Sequence, residues 1–301
     1  MSPFEKGIPV DRPTHRPAPS HIVPARIITE WPIGTFVENL VVLDDETVLV
    51  SIVSSASIER VSLRDGARSV FARFPKEPTG ITRMGDRFFI NVGTPGQPGW
   101  SIWEADLEGS VSELAHVPRG LFLNGNTALS TTRLLAVDSI LGEVFAIDTT
   151  TGQVTSWLQH ALLTKSSPEP MMPGANGIQV VGDDAYFTST ERALVLMCPI
   201  HEGRAGEMSI LAEQFVGDDF AVDAAGNLFI TTHVHNQLQR LSPEGIRTVI
   251  AGPDQHMHGS TSCAFDSKGD LLVTTTGGIL APIDGQVRAA KLVELETGRL
   301  A

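Results

Sequence analysis

Only two cysteines, Cys198 and Cys263, and a single tyrosine occur in the 301 residues. Two thiols make neither a disulfide framework nor a metal motif. Both sit in apolar strand-like runs, "VLMCPI" and "TSCAFD", where buried structural thiols are expected. Basic residues are scarce: 22 Lys and Arg against 35 Asp and Glu give a formal net charge of −13. That balance argues against nucleic acid or an anionic membrane surface as partner, because phosphates need a basic face. No apolar stretch reaches membrane-spanning length, so no membrane span is expected. The N-terminus lacks a charged head followed by an apolar segment; no signal peptide is read, and a cytoplasmic location is expected. The most informative absence is helical periodicity. No long run places apolar residues at i, i+3, i+4 and i+7.

Short alternating runs fill the chain instead: "NLVVLDDETVLVSIV", "DRFFINVG", "RLLAVDS", "DAYFTST", "NLFITT", "DLLVTTTGG". They are bounded by Asp-Gly, Gly-Asp, Gly-Asn and Pro signals, which read as hairpins. Aligned on their openings, the runs repeat. They start at Glu38, Thr79, Asn124, Asn176, Asp218 and Thr261, at intervals of roughly 40 to 50 residues, the length of a four-stranded propeller blade. Six such units predict an all-β chain folded as a six-bladed β-propeller over residues 24–301. A pair of β-sandwiches is the alternative. Closure of the ring needs a clasp, and "PARIITEW" (Pro24 to Trp31) is expected to form the outer strand of the last blade beside "AKLVELET". The preceding residues 1–23 hold five prolines and little periodicity, and read as an extended arm.

In a propeller the first strand of each blade lines the central channel, so the six openers are expected to ring one mouth of it. Glu38, Asn124, Asn176 and Asp218, completed by Thr79 and Thr261, would form a hard-oxygen site. Such donors suit Ca²⁺, Mg²⁺ or Mn²⁺, with Zn²⁺ less well matched for want of nitrogen and sulfur. No organic cofactor is indicated.

The segments "VENLVV", "LNGNTAL…LLAVDS", "ANGIQV", "DDFAVDAAGNLFIT" and "TSCAFDSKGDLLVTTTGG" resemble the regucalcin/gluconolactonase (senescence-marker-protein-like) propellers across all six blades. The resemblance implies a divalent ion held by Glu38, Asn176 and Asp218, with Asn124 near the substrate. The family's Glu-Gly-Pro is Glu38-Asn39-Leu40 here, and its Pro-Asp-Gly is Gly217-Asp218-Asp219; the ligands are kept and the wall beside them changes. The spellings "GTFVENLVV", "FLNGNTAL" and "DDFAVDAAGNLF" are similar to a fungal natural-product branch, some of whose members catalyse intermolecular hetero-Diels–Alder cyclisations.

Two enzymatic readings follow. A lactonase would polarise a lactone carbonyl with the ion and use Asp219 as base. A cyclase joining a quinone-methide-type diene to a terpene alkene needs a shaped apolar pocket and a few polar groups. Candidate pocket residues for small hydrophobic substrates are Trp100 and Trp103 on the "TPGQPGWSIW" loop, Met171 and Met172, Phe220, and the histidines His233, His235, His256 and His258. Asn124, Asn176, Asp218 and Asp219 are the candidate catalytic polar groups. The long apolar loops favour the cyclase; a non-catalytic binding propeller is the third reading.

Overall fold

The computed structural model describes residues 20–167 and 172–298. Six antiparallel sheets follow one another along the chain, and each is a blade. The innermost strands are Val37–Asp44, Glu77–Met84, Leu123–Ser130, Ala175–Val181, Phe220–Val222 and Ser260–Phe265. The sixth sheet is completed by the N-terminal strand Ala25–Ile33, which pairs antiparallel with Ala289–Leu295. Ala25 stands opposite Leu295 and Ile33 opposite Ala289, and Arg26 meets Glu294 at 2.8 Å. This is the clasp expected from the sequence. It ties the two ends of the chain into one sheet and so closes the ring. Of the proline-rich arm, residues 1–19 lie outside the described residues. Its last residues run along the outer strand of blade five, where His21 N donates to Val249 O (2.8 Å) and Val23 is buried.

Alternating residues of the strands face neighbouring blades, and the core therefore lies in the seams between sheets rather than at the axis. Leu49, Ile58, Phe88 and Ile90 fill the seam between blades one and two; Leu135, Val137, Ile178 and Phe187 fill that between three and four. Cys198 and Cys263 are buried free thiols within such seams.

Near the axis the seams are also stitched by hydrogen bonds. Side chains on second strands donate to the opener carbonyl of the next blade: Asn91 to Asn124 O (2.7 Å), Thr231 to Thr261 O (2.7 Å), and Thr188 to Asp218 O. These bonds explain why "TST", "TTH" and "TTT" end the second strands: the buried hydroxyls satisfy carbonyls that no ladder partner reaches.

One irregularity recurs in the inner strands. Pairing with the second strand skips between Val37 and Leu40, Pro78 and Ile81, Leu123 and Asn126, Ala175 and Ile178, and Ser260 and Cys263. In each case the skipped residues are the opener and its successor. In blade five the ladder begins only at Phe220, directly after Asp218 and Asp219. Such bulges re-aim side chains that a regular pleat would bury against the neighbouring blade.

Candidate functional site

The bulges divide the axis into two levels. Glu38, Thr79, Asn124, Asn176 and Asp218 line a cavity of about 250 Å³ at one mouth of the channel. The successors of three of them, Asn39, Gly125 and Asp219, together with Ser262, which follows the opener Thr261, line a separate polar cavity at the other mouth. Between the two the strands nearly touch. A Cβ on Gly80 would lie 2.4 Å from Asn124 O, and one on Gly125 2.6 Å from Asn176 O. The "NG" pairs are therefore not hairpin turns; their glycines permit the close approach of inner strands.

The polar floor of the upper cavity is held in place from outside. Asn176 Nδ2 donates to Thr190 Oγ1 (3.0 Å), whose hydroxyl donates to Gly217 O (2.7 Å), which leaves the Asn176 carbonyl oxygen for the cavity. His233 Nδ1 lies 3.1 Å from Asp218 Oδ2. The Asn124 carboxamide has no hydrogen-bond partner among the described residues. Burial, reinforced by the Asp218 charge, pushes Glu38 well above the usual carboxylate range. Asp218 is raised by burial and by Asp219. Burial lowers His233 to about 4.

The wall above this floor is apolar. Phe36, Pro95, Phe122, Met172, Val234 and Leu280 supply it. Phe36 packs its ring on His233 (centroids 5.7 Å), and Met172 and Val234 join Ala193 and Val216 in a small cluster beside the mouth.

Several expectations from sequence fall elsewhere. The two threonine openers are stitches: Thr79 donates to Leu123 O (2.7 Å) and Thr261 to Val37 O (2.9 Å), in each case the carbonyl preceding the next opener. Thr261 does not reach the cavity. Asp219 points away from it, accepting from Ser262 Oγ (2.7 Å), Asn39 Nδ2 (3.0 Å) and Phe220 N (2.8 Å). It is no base for a substrate in the upper cavity. Trp100 and Trp103 belong to the strand Trp100–Ala105 rather than to a loop. Trp100 is fully buried behind Phe122 (5.8 Å between centroids), and Trp103 meets Phe74 edge-on. Phe220 is buried in the seam between blades four and five. His258 is buried without lining the cavity. His233 and His235 occupy a 3-10 turn, and of the two only His233 lines the cavity. Met172 does line the cavity; Met171 lies outside the described residues. Phe36 and Phe122 were missed by sequence, although each stands two residues ahead of an opener.

Among the described residues no three His, Cys, Asp or Glu side chains form a metal-holding group. The donor set that does converge is two carboxylates and two carboxamides, and among the described residues no Lys or Arg lines the cavity to balance the acids. That chemistry fits an oxygen-preferring divalent cation, which Glu38, Asn176 and Asp218 would hold.

No family model matches the sequence, and no curated protein does. Solved structures do match in fold. A luciferin-regenerating enzyme superposes with a TM-score of 0.69 at 14% identity, over 91% of this chain and 95% of that one. A calcium-binding regucalcin from Agrobacterium tumefaciens str. C58 gives 0.68 at 16%, over 93% and 97%. Virginiamycin B lyase from Staphylococcus aureus gives 0.60 at 13%, over 90% and 98%. At these identities the likeness is one of fold, the six-bladed propeller of the regucalcin and luciferin-regenerating structures.

Proposed function

We propose that the chain is a cyclase of specialised metabolism that catalyses an intermolecular hetero-Diels–Alder cycloaddition between a quinone-methide-type diene and a terpene alkene. The observation that carries this reading is the apolar wall, Phe36, Phe122, Met172, Val234 and Leu280, standing over a small polar floor. A hydrophobic substrate with one oxygen-bearing end matches that division; a sugar acid, polar on every side, does not. The reaction forms one carbon–carbon and one carbon–oxygen bond and expels no group, so it asks for no general base. Its barrier falls when both partners are held in a near-attack pose. The Asn124 carboxamide, having no hydrogen-bond partner among the described residues, is placed to donate to the diene oxygen and draw electron density from it. A divalent cation held by Glu38, Asn176 and Asp218 would supply Lewis acidity toward an oxygen of the substrate.

The second reading, a metal-dependent lactonase, is favoured by the donor set itself. It has lost Asp219 as its base. One experiment separates the two. The protein is incubated with a quinone methide generated in situ and a terpene alkene, and separately with a panel of aldonolactones before and after chelation. An excess of one cycloadduct enantiomer over the racemic background is expected, with no lactone turnover. Hydrolysis that disappears with chelator, and a racemic adduct, would install the lactonase instead.

A further inference from the structure

Asn236 lies outside the cavity, yet its one carboxamide ties together three segments, two of which carry residues that line the mouth. It caps the 3-10 turn His233–His235 in the left-handed conformation (φ 56°) and is buried. Its Oδ1 accepts from Gly259 N (2.7 Å), just ahead of the sixth inner strand, and its Nδ2 donates to Ala281 O (3.1 Å). The first segment carries His233 and Val234, and the last carries Leu280; all three line the cavity.

The loop that bears Leu280 runs between the second and third strands of blade six and is closed at its base. Arg288 N donates to Gly277 O (2.8 Å), and a Cβ on Gly277 would fall 1.9 Å from Arg288 O. Gly277 and Gly278 both have left-handed φ, 76° and 83°, so the chain turns sharply where it leaves the sheet. The Asn236–Ala281 bond pins the loop one residue beyond Leu280. Without it the stretch carrying Leu280 would be secured by the loop base and by the Ile283–Gln286 bridge beyond it.

We infer that Asn236 is a positioning residue that sets Leu280 over the cavity mouth, and that Leu280 thereby limits the width of the hydrophobic ligand. Asparagine suits the task on three counts. It tolerates the left-handed backbone, it accepts from Gly259, and it donates to Ala281. Aspartate would keep the first two and replace the donor by an acceptor facing a carbonyl. The inference rests on the proposed reading in one respect only, that the upper cavity is the ligand site.

The test uses two probes of one chemistry and different width, tropolone and 4-isopropyltropolone, titrated calorimetrically into the full chain. Leu280→Ala should raise the affinity ratio of wide over narrow probe by about tenfold. Asn236→Asp should raise it comparably, and the double variant should match the larger single effect rather than their product, because both act through one contact. Asn236→Gly, which keeps the left-handed backbone, serves as the second variant should aspartate disturb folding, and melting temperatures monitor both. A multiplicative double variant, or an unmoved ratio in both Asn236 variants, overturns the inference and leaves the cavity reading standing. Failure of the unsubstituted protein to bind either probe overturns both.

Discussion

His233 presents Nδ1 to Asp218 Oδ2 at 3.1 Å, and Nε2 to Thr276 Oγ1 at the same distance. The pair holds the Asp218 carboxylate still, but it does not neutralise it, because burial lowers His233 to about 4. Glu38 and Asp218 thus share a desolvated floor that, among the described residues, no Lys or Arg lines. Each is raised well above the usual carboxylate range, so at neutral pH the metal-free fold is penalised for ionising them. Asp218→Asn should therefore raise the melting temperature of chelator-treated protein by a few degrees. Added Ca²⁺, Mg²⁺ or Mn²⁺ should raise that of the unsubstituted protein, by an amount set by concentration over Kd, and do little for Asp218→Asn or Glu38→Gln. Calorimetric scans with and without each ion decide the matter; an ion response surviving both substitutions would remove the ring as the binding site.

Asp219 makes a separate prediction with a definite sign. Burial raises it to about 6 against an ordinary 3.8, and three hydrogen bonds from Ser262, Phe220 and Asn39 limit the rise. The folded state then binds more protons than the unfolded state between these values. Its contribution is full below about pH 4 and declines as pH rises through about 6, by roughly 2–3 kcal/mol at most. Chelator-treated Asp219→Asn should show a shallower fall in urea-unfolding free energy over that window. Equal slopes in the two proteins would mean that Asp219 titrates normally.

The period of the openers made the six blades and the N-terminal clasp legible, because each run alternates and each ends at a turn signal. Five of the six openers do reach one cavity. What the repeat could not convey is which way each neighbouring residue points. Asp218 and Asp219 are adjacent carboxylates on paper, and only the bulge ahead of Phe220, where Asp218 N donates to Thr231 O (2.8 Å) and Thr231 N donates to Asp219 O (3.0 Å), sends one to each mouth of the channel. The tryptophans misled for a related reason: a ring behind a wall and a ring in it have the same local pattern, and Trp100 stands behind Phe122. Asn236 carried no signal at all. Its partners, at 259 and 281, are brought to it by blade packing rather than by spacing.

The threonine stitches can be separated from the site they border. Thr261 donates to Val37 O across the seam where the ring closes, and Thr274 Oγ1 lies 3.0 Å from it. Thr261→Val keeps the shape and leaves a buried carbonyl without its donor, which should cost about 1–3 kcal/mol. Tropolone affinity should not change, since Thr261 does not line the cavity. Denaturant unfolding and calorimetry on the same variant check both halves. A loss of affinity equal to that of a floor substitution would place Thr261 in the site after all.

Phe122 and Trp100 offer the sharpest division between wall and support. Phe122 lines the cavity and is half-buried; Trp100 is fully buried behind it, with Gly93 pressed against its indole. Phe122→Ala removes apolar surface that the ligand would cover and opens the seam only on its cavity side. It should weaken binding of 4-isopropyltropolone about tenfold or more, with a modest fall in melting temperature. Trp100→Ala creates an enclosed void in the seam and should cost several kcal/mol of stability, about 3–5 by analogy with other buried aromatic truncations. Trp100→Phe, which retains most of the packing, should preserve probe affinity. Should Trp100→Phe reduce affinity as much as Phe122→Ala while the fold stays intact, the indole itself would have to reach the ligand, and the wall assigned here to Phe122 would need redrawing.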